Sequence, residues 1–394
     1  MNALFLNIHK YFKPLKEETS LRWAILLMAM TGLSLSTYYY SGDIMIHRNA
    51  FYRMVAGGSA MFDKYIEGSY LPSEFLILGP FIAASHWMPW GWKMFLPQWP
   101  EVIFYCLNLI TIWHLAPIKN KIIIPLVIFC PYCFISMQGG INRDNMVTCL
   151  CLTAILLHKK RYFCFSGFLF GLSFFKLVTL PCLIVALAFE LLNGRTRNFF
   201  KIFGGMVIAN LPNLIYFACQ PEDFIKFLSA GGRKTAGKFS FRSDHPFTIF
   251  ESLSGFESWY CSNGIWSYFL ILALIICIIL ILNKFKNEIA LHIIAFSPIA
   301  IAWQAEDKGL LFYMLCIISL ISHIEQYFIA RLAIFFLFCA KWCYLLEWLY
   351  PHNIYQSTGI RITEFFQMRF WVTTAFVLTT YLFSLTIINK NKNI

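Results

Sequence analysis

Residues 38–72 read YYYSGDIMIHRNAFYRMVAGGSAMFDKYIEGSYLP, and the fold turns on what flanks them. Before them, residues 21–40 form an apolar run long enough to cross a bilayer as a helix. Asp43 therefore emerges a few residues past the hydrocarbon, on the side opposite the N-terminus. The following HRNAFYRMVAGGSAMFDKY predicts an amphipathic helix, with Phe51, Met54, Val55 and Phe62 sharing a face. Gly57-Gly58 interrupts that helix, and Gly68 with Pro72 ends the segment.

The rest of the chain repeats the apolar theme. Hydrophobic residues make up 59% of the 394 and charged residues 13%, with a mean hydropathy of +0.62. No soluble core of this length needs so much apolar sequence, so the composition predicts a polytopic membrane protein. Residues 1–22 are amphipathic and basic and run into a full span without a small-residue cleavage site, unlike a removable signal. Most of the 13 cysteines, among them Cys106, Cys130, Cys149, Cys151 and Cys277, sit in apolar runs and act as small hydrophobes. Cys130 and Cys133 flank Pro131 and Tyr132 within such a run, and neither a disulfide framework nor a zinc site is expected. Cys219 and Cys261 bracket a loop that a bridge could close. The formal charge of +12 is dispersed in short clusters between apolar runs. That is the pattern of topology signals and lipid headgroup contacts, not of a nucleic-acid-binding surface.

The clusters set the topology. Lys10, Lys13, Lys16 and Arg22 place the N-terminus in the cytoplasm. Residues 75–90 are short and broken by Gly79-Pro80 and Pro89, and their tryptophans suit an interface. If they lie on or dip into the outer leaflet without crossing it, every short cytoplasmic link that follows is basic. Crossings at 21–40, 101–117, 122–137, 146–158, 164–175, 177–192, 203–217, 266–282, 289–303, 310–322, 332–346 and 370–388 then give about twelve spans with both termini inside. The expectation is one all-α membrane domain over 1–394, with outer segments at 41–100 and 220–263 and no internal repeat.

This topology gathers polar residues on the outer face: Asp43, His47, Arg48 and Arg53; Asn142, Arg143 and Asp144; Lys176; Arg233, Lys234, Lys238, Arg242, Asp244 and His245; Glu306, Asp307 and Lys308. Ionisable groups at membrane depth are costly and point to function. An acid at the surface with surrounding cations suits transfer from a lipid-linked sugar phosphate. Asp43 would deprotonate an acceptor hydroxyl for in-line attack at the anomeric carbon. The basic residues, with Lys176 foremost and Arg48, Arg53, Arg143, Arg233, Lys234, Arg242, His245 and Lys308 around it, would hold donor and departing phosphate. No cofactor is expected beyond the lipid-linked sugar phosphate as donor substrate, and the sequence does not require a divalent metal. A multi-pass transporter would instead favour symmetric halves with broken helices. A non-catalytic envelope-assembly protein would leave the acid incidental.

The sequence from Asp43 through YRMVAGGSAMFDKY (52–65) resembles the first outer loop of GT-C superfamily membrane glycosyltransferases of the polyprenol-phosphate-mannose-dependent, mannosyltransferase-like type. GGINRDNMVTCLCLTAILLHKKRYFCFSGFLFGLSFFKLVTLPCLIVALAFELLNGR (139–195) is similar to a second block of that family, its lysine matching Lys176. The two blocks cover roughly a quarter of the chain. They depart from the family at Gln138-Gly139 and Phe62-Asp63, and only Tyr70 and Pro72 remain of a further element. The resemblance implies the GT-C fold, Asp43 as base, and inverting transfer of mannose or another hexose or pentose. The donor would be a polyprenyl-phosphate sugar and the acceptor a glycan, a glycolipid or another acceptor. The site would face the exterior or periplasm from the plasma (inner) membrane.

Overall fold

A computed structural model describes residues 2–38, 42–57, 71–89, 95–130, 133, 143–175, 179–224, 265–283, 287–302, 305–324 and 327–335. The protein is all-α, and no strand occurs among the described residues. The chain divides into two units, Met1–His114 with Cys133–Lys238, and Leu115–Tyr132 with Phe239–Ile394.

The first unit holds α1 (Asn2–Glu17), α2 (Thr19–Tyr38), α3 (Gly42–Val55), α4 (Phe75–Ser85) and α5 (Trp99–Leu115), the last of which runs to the unit's boundary. A 3₁₀ turn, Pro72–Glu74, leads into α4. In the second unit, α6 covers Ile123–Ile128. The first unit resumes with α7 (Asp144–Lys159), α8 (Phe163–Leu172), α9 (Leu180–Leu192) and α10 (Thr196–Cys219). The second unit continues with α11 (Ile265–Leu282), α12 (Glu288–Ala302) and α13 (Ala305–Leu320). There α11 packs on α12 and α12 on α13, and the Tyr313 hydroxyl donates to the Leu126 carbonyl at 3.0 Å.

The amphipathic helix expected after Asp43 forms and stops before Gly57, which takes a φ of +78° that side-chain-bearing residues adopt at a cost. Phe51 and Met54 face the same groove, whereas Val55, in the last turn, is exposed, and Phe62 lies outside the described residues.

The tightest packing in the first unit joins α8 to α10. A Cβ built on Gly167 would lie 1.9 Å from the Ile202 carbonyl oxygen, and one on Gly205 would lie 2.0 Å from that of Cys164. Only glycine permits this approach. Gly167 on α8 faces the Ile202 backbone, Gly205 on α10 faces the Cys164 and Phe168 backbone, and Gly171 meets Ala209, small residues of the kind that let helices associate where apolar burial gives no drive. A polar contact adds to it: Asn210 of α10 donates to the Gly171 carbonyl at 3.2 Å, while Ser166 ties α8 to α7 by donating to the Ala154 carbonyl at 2.8 Å.

The unit exposes large apolar side chains and buries several polar ones. Trp23, Leu26, Leu27 and Met30 of α2 are exposed, as are Phe200, Ile208, Leu214 and Ile215 of α10. Asn108, Thr111, Asn145, Glu74 and Glu101 are buried. Helix α10 is long and apolar enough to cross a membrane, and 22% of its apolar window is buried, far less than for the core helix of a soluble protein. It contains the expected span 203–217. Other apolar helices are shorter, α8 having 10 residues and α9 13. At 1.5 Å per residue these two reach about 15–20 Å, against a hydrocarbon layer of about 30 Å. Among the described residues one helix is long and apolar enough for a span, and the twelve expected spans are not shown. Helix α4, within the stretch expected not to cross, has 11 residues. The stretch 370–388 and most of 332–346 lie outside the described residues.

Candidate functional site

Glu74 ends the 3₁₀ turn that Pro72 opens, a position where proline's missing N–H is no loss. The turn is fixed from the side by Asn213 of α10, whose Oδ1 accepts the Ser73 N–H at 2.7 Å and whose amide donates to Ser73 Oγ at 3.0 Å. Glu74 is consequently aimed into the unit and is 0% exposed.

An imidazole and a guanidinium meet it there. Nδ1 of His47, on α3, lies 2.9 Å from Oε1 of Glu74. The Arg143 guanidinium donates to Oε2. Burial by itself raises the pKa of the Glu74 carboxyl. Arg143 and His47 pull it down and prevail, holding it below the usual glutamate value of 4.5.

Arg143 has an unusual backbone. It is the N-cap of α7 and has φ +62°, in the left-handed region. For a residue with a Cβ this costs on the order of 1–2 kcal/mol and persists only where surrounding contacts enforce it. The next turn is also tied by an acid. Glu101 of α5 accepts the backbone N–H of Asn145 at 3.2 Å and of Met146 at 3.4 Å. A carboxylate thus meets the positive end of the α7 dipole. Glu74 and Glu101 together satisfy the cationic start of α7.

An apolar cavity of about 430 Å³ adjoins this cluster. Phe51 and Met54 of α3, Pro72 and Phe75 on either side of Glu74, and Pro212 and Ile215 of α10 line it. Charged cluster and apolar groove therefore share the wall formed by the 3₁₀ turn.

A second carboxylate cluster lies toward the other end of α7. Glu190 of α9 is 3.3 Å from Nε2 of His158 and 3.5 Å from Nη1 of Arg195, and its Oε2 accepts from Asn198 at 2.7 Å.

The sequence-predicted residues distribute as follows. Asp43 is in α3, one helical turn before His47, and its side chain is outside the described residues. Arg48 is largely buried, its Cζ 6.0 Å from the centre of the Tyr52 ring, a cation–π contact. Arg53 is exposed in the last turn of α3. Arg143 meets Glu74. Lys308, with Glu306 and Asp307, lies on α13, with side chains outside the described residues. Lys176, Arg233, Lys234, Lys238, Arg242, Asp244 and His245 lie outside the described residues. Sequence reasoning missed Glu74 and Glu101. The available signal was an acid directly against the apolar run that begins at Phe75, where a charge is stable only if paired.

Among the described residues no group of three or more His, Cys, Asp or Glu side chains could hold a metal ion. Cys130 and Cys133 have C-x-x-C spacing, but each is fully buried and reduced. No protein-family model, no curated protein and no solved structure matches this chain.

Proposed function

We propose that the protein is a multi-pass membrane glycosyltransferase of GT-C type, moving a sugar from a polyprenyl-phosphate donor to a glycan or glycolipid acceptor outside the membrane. The observation that supports this reading most is the groove and cluster sharing the 3₁₀ turn, beside the helix that carries Asp43. The apolar groove, which runs past the turn without exposing Glu74, suits the hydrocarbon chain of an amphiphile.

Asp43 accepts the proton of the acceptor hydroxyl as its oxygen bonds to the anomeric carbon. The bond from that carbon to the phosphate oxygen breaks with inversion, and polyprenyl phosphate departs with the electron pair. Arg143 is already matched by Glu74, so the growing phosphate charge falls to Lys176, Arg48 and the basic residues of 220–263. Glu74 does not touch the reacting atoms in this scheme. It secures α3 through His47 and thereby fixes the position of Asp43.

The reading is tested by incubating the purified protein with a panel of radiolabelled polyprenyl-phosphate sugars. Consumption of one, with release of polyprenyl phosphate, supports it, and inertness toward the whole panel with a range of acceptors overturns it. A transporter is the second reading, for which polar contacts between α5 and α7, Asn108 to the Asn145 carbonyl (3.2 Å, buried) and Thr111 with Thr153 (3.3 Å, part-buried), supply polar groups between helices. Counterflow in proteoliposomes without product formation would select it.

A further inference from the structure

The proposed transfer chemistry leaves α1 without a role, yet α1 is firmly placed. The Tyr11 hydroxyl lies 2.5 Å from Thr111 Oγ1 and 3.3 Å from the Leu107 carbonyl, both on α5. His114 donates through Nε2 to the Tyr11 carbonyl at 2.8 Å, and the two rings stack with centroids 5.4 Å apart. One residue thus fixes the rotation of α1 about its own axis.

That rotation sets what the outer arc displays. At 3.6 residues per turn, His9, Lys10, Lys13, Lys16 and Glu17 fall on the side away from Tyr11. All are exposed. Glu17 is the one acid in this arc and is paired with Lys13 at 3.1 Å, while Lys16 Nζ lies 3.3 Å from His9 Nε2. Three lysines against one carboxylate leave the arc cationic. Immediately after it α2 begins, with Trp23, 66% exposed, followed by exposed Leu26, Leu27 and Met30. Cationic arc, tryptophan and apolar face follow one another along residues 9–30 in the order in which headgroups, interface and hydrocarbon follow one another in a leaflet.

We infer that α1 is a binding surface for anionic glycerophospholipid, its lysine arc receiving lipid phosphates while Tyr11 holds the helix in register with α5. This rests on the membrane reading above and is independent of the transfer chemistry. A lysine near an anionic headgroup contributes about fivefold in affinity, so three contribute on the order of a hundredfold.

The test uses the full-length protein in a non-ionic detergent, with tail-labelled phosphatidylglycerol or phosphatidylcholine followed by fluorescence anisotropy. Wild type is expected to prefer phosphatidylglycerol, and K10Q/K13Q/K16Q to lose that preference on the order of a hundredfold. If the triple variant does not fold, Lys13→Gln alone should show the loss of about fivefold. Unchanged binding in the folded variants, or equal binding of phosphatidylcholine, overturns the inference. Displacement of the lipid by free glycerol phosphate does so too, because the arc would then be a soluble-phosphate site. Carbonate extraction of native membranes separates the two failures. A released protein sinks the membrane reading itself, whereas a retained protein with lysine-independent lipid binding sinks only the role of α1.

Discussion

His47 on α3 and Glu74 before α4 hold imidazole and carboxylate 2.9 Å apart, with Arg143 on the carboxylate's other oxygen. Because these partners depress the Glu74 pKa, its ionised form stabilises the folded state above the unfolded value of about 4.5. The contribution is lost as pH falls through the lower, folded-state value. Glu74→Gln should therefore lie below wild type in Tm by a constant margin from pH 7 to about 5, and the margin should close at lower pH. A margin insensitive to pH down to 3 would show that Glu74 acts by shape and not by charge.

Removing Arg143 leaves a buried carboxylate facing His47 alone. Arg143→Met should cost roughly 3–5 kcal/mol, while the double variant Glu74→Gln/Arg143→Met should cost less than that single change. Arg143→Asn separates charge from backbone, since asparagine tolerates the left-handed conformation. Denaturant titrations of the four proteins give the coupling directly. Additive losses would mean that the two side chains do not interact.

Gly167 and Gly204 make a paired test of helix packing. Gly167→Ala places a methyl 1.9 Å from a backbone oxygen that cannot swing away, and should cost about 1–3 kcal/mol or more. Gly204, on α10, has nothing within 4 Å of its added Cβ. Its change to alanine should be neutral or stabilise by about 0.5–1 kcal/mol through helix propensity. Equal effects at the two positions would contradict the close approach of α8 to α10.

Asp43→Asn should lower kcat on the identified donor by about 10²–10⁴-fold with the protein still inserted and folded, because an amide cannot take the acceptor's proton. Turnover at the wild-type level would remove Asp43 from the mechanism. Glu306 and Asp307 would then be the acids to substitute next.

Cysteine labelling with an impermeant reagent tests the orientation. Arg233→Cys should react from outside and Lys160→Cys should not, in a background where all 13 native cysteines, Cys164, Cys219 and Cys261 among them, are serine. Reaction at position 160 would invert the arrangement of α7 and displace the active-site assignment with it.

Helix existence was readable from apolar periodicity, and so was the break at Gly57, whose positive φ is what a glycine pair after an amphipathic run announces. Val55 departed from its expected face because the helix ends there and the last turn has little left to pack against. The cluster was only half visible. Arg143 drew attention as a charge beside an apolar run, but its partner stands 69 residues earlier. No local pattern links the two, and only the docking of the 3₁₀ turn against Asn213 brings them together. Nor does sequence alone distinguish an arginine poised for a ligand from one already committed to a carboxylate.

Helix α7 has Arg143 at its start and His158 near its end, about 22 Å apart along the axis. Each meets a buried carboxylate on a different element, Glu74 ahead of α4 and Glu190 on α9. A slide of a single residue, about 1.5 Å, or a quarter turn about its axis, would pull both ends out of register together. The helix therefore behaves as a strut of fixed length bolted at both ends. Any displacement of the turn that carries Glu74 has to take α7 and α9 with it as one rigid frame, and hydrogen exchange along α7 should show opening in a single step with no fraying from either end.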